Sequence, residues 1–345
     1  MHRKEFIKLS AGIIGGLGIP GVFRPDGFAA GGDSANPEAL DKSYLERGLA
    51  GMAQSQGWFE AHWGAAVIAG YYLCKENPLG NETVSDIRNQ LDTMIRLQPE
   101  QFAPMPESPA DESLIDQIPA ALKPAVEGGL RAHGHAVIYA SLSVKALREV
   151  PHMAQRNLID KLCGHSRQIA RKAPEKPENP TAYSDSQAMV EALFNSLARF
   201  EPLVGYPSVM RPNFTHMTTH TEALMNLEAM GYPDIARAGH LGHQAHLAAP
   251  VPEFDSAGEP KVETAASLEG IIHPNYWENE ENLDRWSRKW AIGENPNGYW
   301  VAFGHLFKML YAYHRLVRRI EDREKVLLCS RVLLERYFNP SVQGG

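Results

Sequence analysis

The sequence predicts an all-α protein made of repeated αα-hairpins, closed into an α/α barrel (toroid) or stacked as a compact helical solenoid. Three observations carry this expectation. No stretch alternates apolar and polar residues for long, and the β-branched clusters fall inside helical patterns. Apolar helices followed by amphipathic partners recur at intervals of roughly 70 to 90 residues. Two of these units match without gaps at an offset of 71: Gly57 with Gly128, Ala61 with Ala132, His62 with His133, Ala65 with Ala136 and Val67 with Ile138.

The first 29 residues read as a targeting segment. Arg3-Lys4-Glu5-Phe6-Ile7-Lys8 resembles a twin-arginine export signal with one Arg replaced by Lys, an apolar run follows from Leu9 to Phe23, and Gly27-Phe28-Ala29 offers a small-x-small cleavage site. The expectation is a signal at 1–29, a single helical domain at 30–345, and export of the folded protein to the periplasm or beyond.

The mature chain begins with a short helix near Lys42 to Gln54. Gly57 then opens a nearly all-apolar helix that ends at Pro78-Leu79-Gly80. Asn81 is placed to cap its partner, whose stripe is Val84, Ile87, Leu91 and Ile95. Pro99 to Pro119 carries five prolines and reads as a long surface connection. The next hairpin runs from Gly128 with its turn at Pro151. A proline-rich loop, Pro174 to Pro180, leads to an amphipathic helix near Ser184 to Phe200. His216 to Met230 and Ile235 to Ala249 form a further hairpin about Gly231 and Pro233. Tyr299 starts the last one, with Glu321 to Phe338 as the partner.

Composition narrows the function. At 345 residues and 43% apolar content the chain can bury a large core. The net charge is −7, and because the first 29 residues carry four basic and two acidic side chains, the remainder stands at −9. A nucleic-acid or anionic-membrane surface is therefore not expected. No run after the leader has the length of a spanning helix. Cys74, Cys163 and Cys329 lie far apart in apolar contexts and read as buried free thiols, with one disulfide as the alternative.

The histidines are the chemical signal. They recur in the first turn of each apolar helix: His62, then His133 and His135, then His216 and His220, then His305. If these helices are parallel inner staves, imidazoles and free backbone N–H groups converge at one end, where they suit an anion, a carbonyl or a metal ion. The bland alternative is that each histidine satisfies orphan groups of its own helix end. His133, His135, His220 and His305 are the candidate acid, base or ligand groups, with Tyr139 one turn past His135 as a phenolic proton source. His216 and His220, four residues apart on one face, are the candidate metal pair; the general base of a His-Glu-x-x-His motif is missing. The cofactor is left unknown, with a metal ion as one expectation. Beyond the first 29 residues, nucleotide-binding glycine motifs and a Gly-x-Ser-x-Gly elbow are absent.

His62, Trp277 and Trp300 are the candidate substrate contacts. Trp277, Trp286, Trp290 and Trp300 fall within Ile271 to Trp300 and suggest an aromatic flap, or simply rings that pin a long loop to the body.

Ala132-His133-Gly134-His135-Ala136-Val137-Ile138-Tyr139-Ala140 and His220 to Gly231 resemble helices of questin oxidase-like proteins. That resemblance implies a helical oxygenase acting on a cyclic or aromatic small molecule. Two other classes stand beside it: an α/α-barrel carbohydrate-active lyase, hydrolase or epimerase, which rests on architecture alone, and a non-catalytic helical scaffold, in which the histidines would be dispersed.

Overall fold

The computed structural model describes residues 40–77, 81–206, 213–258 and 298–333. Residues 1–29, where an export signal is expected, Trp277 and the rest of the tryptophan-rich segment up to residue 297 lie outside the described residues, as does the side chain of Trp300. The described chain is all-α, and no strand occurs in it beyond two isolated bridges, Ala110 with Gln155 and Leu130 with Glu175.

The helices are α1 (Ser43–Ala53), α2 (His62–Glu76), α3 (Asn81–Leu97), α4 (Gln117–Val126), α5 (His135–Glu149), α6 (Arg156–Ala170), α7 (Ser186–Ala198), α8 (Phe214–Ala229), α9 (Pro233–Leu247), α10 (Gly298–Val317) and α11 (Arg323–Leu333). Helix α4 corrects the expectation of an irregular connection up to Pro119. Pro119 occupies the third helical position, where its missing N–H is one that no helix would bond, and Pro124 stands close to the end.

Helices α2, α5, α8 and α10 form a closed circuit, each packing on the next: α2 on α5, α5 on α8, α8 on α10, and α10 on α2. They are the apolar helices of the sequence pattern, and amphipathic α1, α6, α7 and α9 pack outside them. All four inner helices run in the same direction. Their histidine-bearing N-terminal halves meet at one end. Nearer the other end Glu76 of α2, Lys145 of α5, Glu222 of α8 and Arg315 of α10 form a charged knot.

Most described side chains of the inner helices are buried. In α8 every residue from Phe214 to Leu227 is buried, although the segment contains four threonines, two histidines and a glutamate. The hydroxyls of Thr218, Thr219 and Thr221 donate to the carbonyls four residues earlier at 2.7–2.8 Å, so they bring no unmet hydrogen-bonding need into the core. Helices α1 and α2 approach backbone to backbone at two glycines: a Cβ on Gly64 would lie 2.3 Å from the Met52 nitrogen, and one on Gly48 2.9 Å from the Gly64 carbonyl. Cys163 and Cys329 are buried and Cys74 half-buried; all three are free thiols. No helix among the described residues is long and apolar enough to cross a membrane.

Candidate metal centre

His62 and His135 are the first residues of α2 and α5. His216 lies in the first turn of α8, and His305 reaches the same place from two turns inside α10. One ring nitrogen of each lies within 4.8 Å of the others, the only such group of three or more potential ligands among the described residues. The Nε2 atoms follow one another closely: His305 to His62 at 3.0 Å, His62 to His135 at 2.8 Å, and His135 to His216 at 2.9 Å.

Their outward nitrogens are held. His62 Nδ1 faces the Phe59 carbonyl at 2.5 Å, His135 Nδ1 faces the Ala132 carbonyl, and His216 Nδ1 faces Asn213 Oδ1 at 2.6 Å. A carbonyl oxygen only accepts, so Nδ1 carries the hydrogen and Nε2 of a neutral ring presents a bare lone pair. Asn213 has a double task, because the same oxygen caps α8 by accepting from the His216 amide. Tyr139 OH lies 2.8 Å from His62 Nδ1.

The bare lone pairs of His62, His135 and His216 meet at 2.8 and 2.9 Å and repel unless a cation lies between them. Protonation does not supply it. Burial, above all, holds His62, His135 and His216 well below the usual imidazole range, and the neighbouring imidazoles and Lys308 push in the same direction. A metal ion removes the conflict. Carbonyl-anchored imidazoles with their free nitrogens converging are how proteins hold zinc, copper, iron or nickel, and the residues present fit such an ion.

The entrance to α5 is strained where it meets the site. Ala132 (φ 45°), His133 (φ 52°) and Gly134 (φ 80°) take left-handed conformations in succession. Gly134 is required twice, since a Cβ there would also lie 2.7 Å from the His220 ring. This turn aims His135 inward and leaves His133 exposed, stacked on His216 at 5.4 Å and parallel to His246 at 6.0 Å.

His220 is therefore not a partner of His216 at the centre. One turn further along α8, it packs against His246 at 5.4 Å and His243 at 6.2 Å, both on α9. His243 is satisfied by Tyr183 and Thr221, each at 2.8 Å. His220 Nδ1 and both nitrogens of His246 have no hydrogen-bond partner although buried. Burial and the charge of His240 bring His220 down to about 3. A cavity of about 10 Å³, room for one water molecule, is lined by His220, Gly134, Arg131 and Gly239.

Of the expected site residues, the structure brings together His62, His135, His216 and His305. It sets Tyr139 behind His62, with the hydroxyl 2.8 Å from Nδ1, and burial pushes its phenol well above the usual range. Sequence reasoning missed Trp58, Phe59 and Lys308. Trp58 lies 5.1 Å from His135, and Phe59, 44% exposed, lies 5.0 Å from His62. Lys308 follows His305 by one turn of α10 and is buried, its Nζ 5.9 Å from the Tyr139 ring centre. The Trp-Phe pair three residues before His62 was the available signal; an isolated lysine in an apolar helix was the other.

In comparisons with family profiles, curated proteins and solved structures, nothing matches this chain.

Proposed function

We propose that the protein is a metal-dependent oxidoreductase acting on a cyclic or aromatic small molecule, with His62, His135, His216 and His305 holding the metal. The observation that carries this is the convergence of four imidazoles with no carboxylate among them, three of which, His62, His135 and His216, are anchored through their outer nitrogens and held neutral by burial. All-nitrogen ligation suits the late first-row transition metals and not magnesium or calcium, which take oxygen donors. The ion would supply electron transfer or activation of a bound oxygen species. The chain's own residues do the rest: Phe59, Ala132 and Asn213 fix the ring orientations, and Tyr139 backs His62. Exposed Phe59 and half-buried Trp58 offer apolar ring faces beside His62 and His135, which favours a flat, cyclic substrate over a highly hydrated one.

We read the inner circuit and its outer helices as an α/α toroid whose N-terminal end is the active face. We also propose export through a twin-arginine route with removal of residues 1–29; N-terminal sequencing of the native protein tests this, and an intact Met1 on a cytoplasmic species would refute it. Elemental analysis of the purified protein tests the metal reading. One equivalent of a transition metal, lost in His62→Ala or His216→Ala, is the expected result. Its absence from native protein that also fails to take up added copper, iron, cobalt or zinc would refute it. Stoichiometric zinc with no electron-transfer activity would move the reading to a metal-dependent lyase.

A further inference from the structure

Four imidazoles can surround an ion as a tetrahedron or as a square, and the two leave different distances. At the usual metal–nitrogen length a tetrahedron sets every pair of nitrogens about 3.3 Å apart, whereas a square sets neighbours about 2.9 Å and opposite corners about 4.1 Å apart. The consecutive Nε2 distances here are 3.0, 2.8 and 2.9 Å. The rings close the circuit. Their centres are 4.8 Å apart for His305 and His62, 4.5 Å for His62 and His135, 4.4 Å for His135 and His216, and 4.9 Å for His216 and His305. The opposite corners His62 and His216 stand 6.4 Å apart. That is the proportion of diagonal to side in a square; a tetrahedron has no longer pair.

The charges around this square are one-sided. The N-terminal, positive ends of α2, α5 and α8 lie at it. Among the described residues no Asp, Glu or Cys joins the group. Lys308 is buried close by, its Nζ 5.9 Å from the Tyr139 ring centre, and burial pushes its ammonium well below the usual range, so it stands as a nitrogen donor and not as a fixed charge. A metal ion adds further positive charge, with nothing of the described chain to balance it.

Resting on the reading of these histidines as a metal centre, we infer that they form the equator of a tetragonal ion, copper or iron rather than zinc, and that an axial position takes an anionic ligand from outside the chain, with Lys308 as its hydrogen-bond donor. Zinc in a closed protein site is almost always tetrahedral, while tetragonal nitrogen ligation is what copper(II) prefers. The ligand class that follows is a small anion or the carboxylate, phenolate or enolate of a substrate.

The full mature protein, freed of metal, would be loaded separately with copper(II) and cobalt(II) and then titrated with azide. The copper form should give an axial paramagnetic resonance spectrum with coupling to four equivalent nitrogens. The cobalt form should show the weak visible bands of five- or six-coordination, and azide should add a saturable charge-transfer band to the copper form. Lys308→Met should weaken azide binding by about tenfold or more. Intense tetrahedral-type cobalt bands, or a copper spectrum blind to azide, would overturn the inference while leaving the metal centre standing. Failure to take up either ion would remove the metal centre itself, so the two failures are told apart on the unaltered protein.

Discussion

Replacing His135 by alanine separates a ligand from a core histidine. His135 is the corner that touches both neighbours, at 2.8 Å to His62 and 2.9 Å to His216, and its other nitrogen is anchored on Ala132. A four-ligand transition-metal site is worth about 10–16 kcal/mol of apparent binding, so an even share is about 2.5–4 kcal/mol per ligand, or two to three decades in dissociation constant. With free metal held at about 100 times the parent dissociation constant, binding stabilises the parent by about 2.7 kcal/mol; a hundredfold weaker variant retains about 0.4 kcal/mol. The metal-dependent part of stability should therefore fall by about 2.3 kcal/mol. The metal-free variant should differ from the metal-free parent by only about 1 kcal/mol, because the lost packing is offset by relief of the opposed lone pairs. Urea unfolding with and without metal, beside a competitive metal titration, measures both quantities. Equal destabilisation in the two conditions, or an unchanged dissociation constant, would refute the assignment and leave His135 as a packing residue.

Four further outcomes are expected. Tyr139→Phe removes the hydroxyl behind His62 and should weaken metal affinity by about tenfold, at the low end for outer-shell partners, read by the same titration. Gly134→Ala places a Cβ at a left-handed φ of 80° and 2.7 Å from the His220 ring, so it should cost about 1–3 kcal/mol in urea unfolding; an unchanged midpoint would mean the turn is free to relax. Arg315→Met leaves Glu222 buried without its partner at 3.3 Å and should cost about 3–5 kcal/mol, while metal stoichiometry is retained. Acid should destabilise the metal-free protein from about pH 6.5 downward. His220 is held at about 3 and His314 at about 4, both depressed by burial, so the unfolded chain takes up their protons first and stability falls as pH drops toward those values. At pH 5.5 each contributes about 1.4 kcal/mol of that loss, and a flat stability profile between pH 7 and 5 would contradict it.

The helical class and the gathering of histidines at helix N-termini were legible because both depend on periodicity along one segment. What converges across segments was not. The gapless repeat pairs His62 with His133, yet the structural counterpart of His62 is His135, 73 residues on. The left-handed turn through Ala132, His133 and Gly134 delays the start of α5 by two residues, and only the glycine between the two histidines hints at it. His216 and His220 look equivalent at helical spacing. One turn of α8 nevertheless carries His220 past the centre, to face α9 instead of α2 and α5. Helix α4 was hidden by Pro119, a residue type harmful in a helix interior and harmless in the first turn, where it stands. The charged knot escaped notice because Glu76, Lys145, Glu222 and Arg315 stand singly on four helices, each resembling a surface residue.

The two buried polar clusters divide labour along the inner helices. Away from the histidine end, opposite charges neutralise one another: Arg315 lies between Glu222 at 3.3 Å and Glu76 at 3.6 Å, and Lys145 pairs with Glu76 and bonds the Tyr311 hydroxyl at 2.8 Å. Such a knot balances its charges within the chain, although Glu222 Oε1 makes no hydrogen bond, and it fixes the axial register of all four helices because a slip of one turn would strand a buried charge. The histidine end is the reverse case. Its nitrogens are positioned by carbonyls and Asn213 yet oppose one another, and the helix ends add positive character with no carboxylate among the described residues joining the group. A fold that tolerates this has its register set elsewhere, by the knot and by the glycine contact of α1 with α2. The incomplete end is then free to be finished by what it binds.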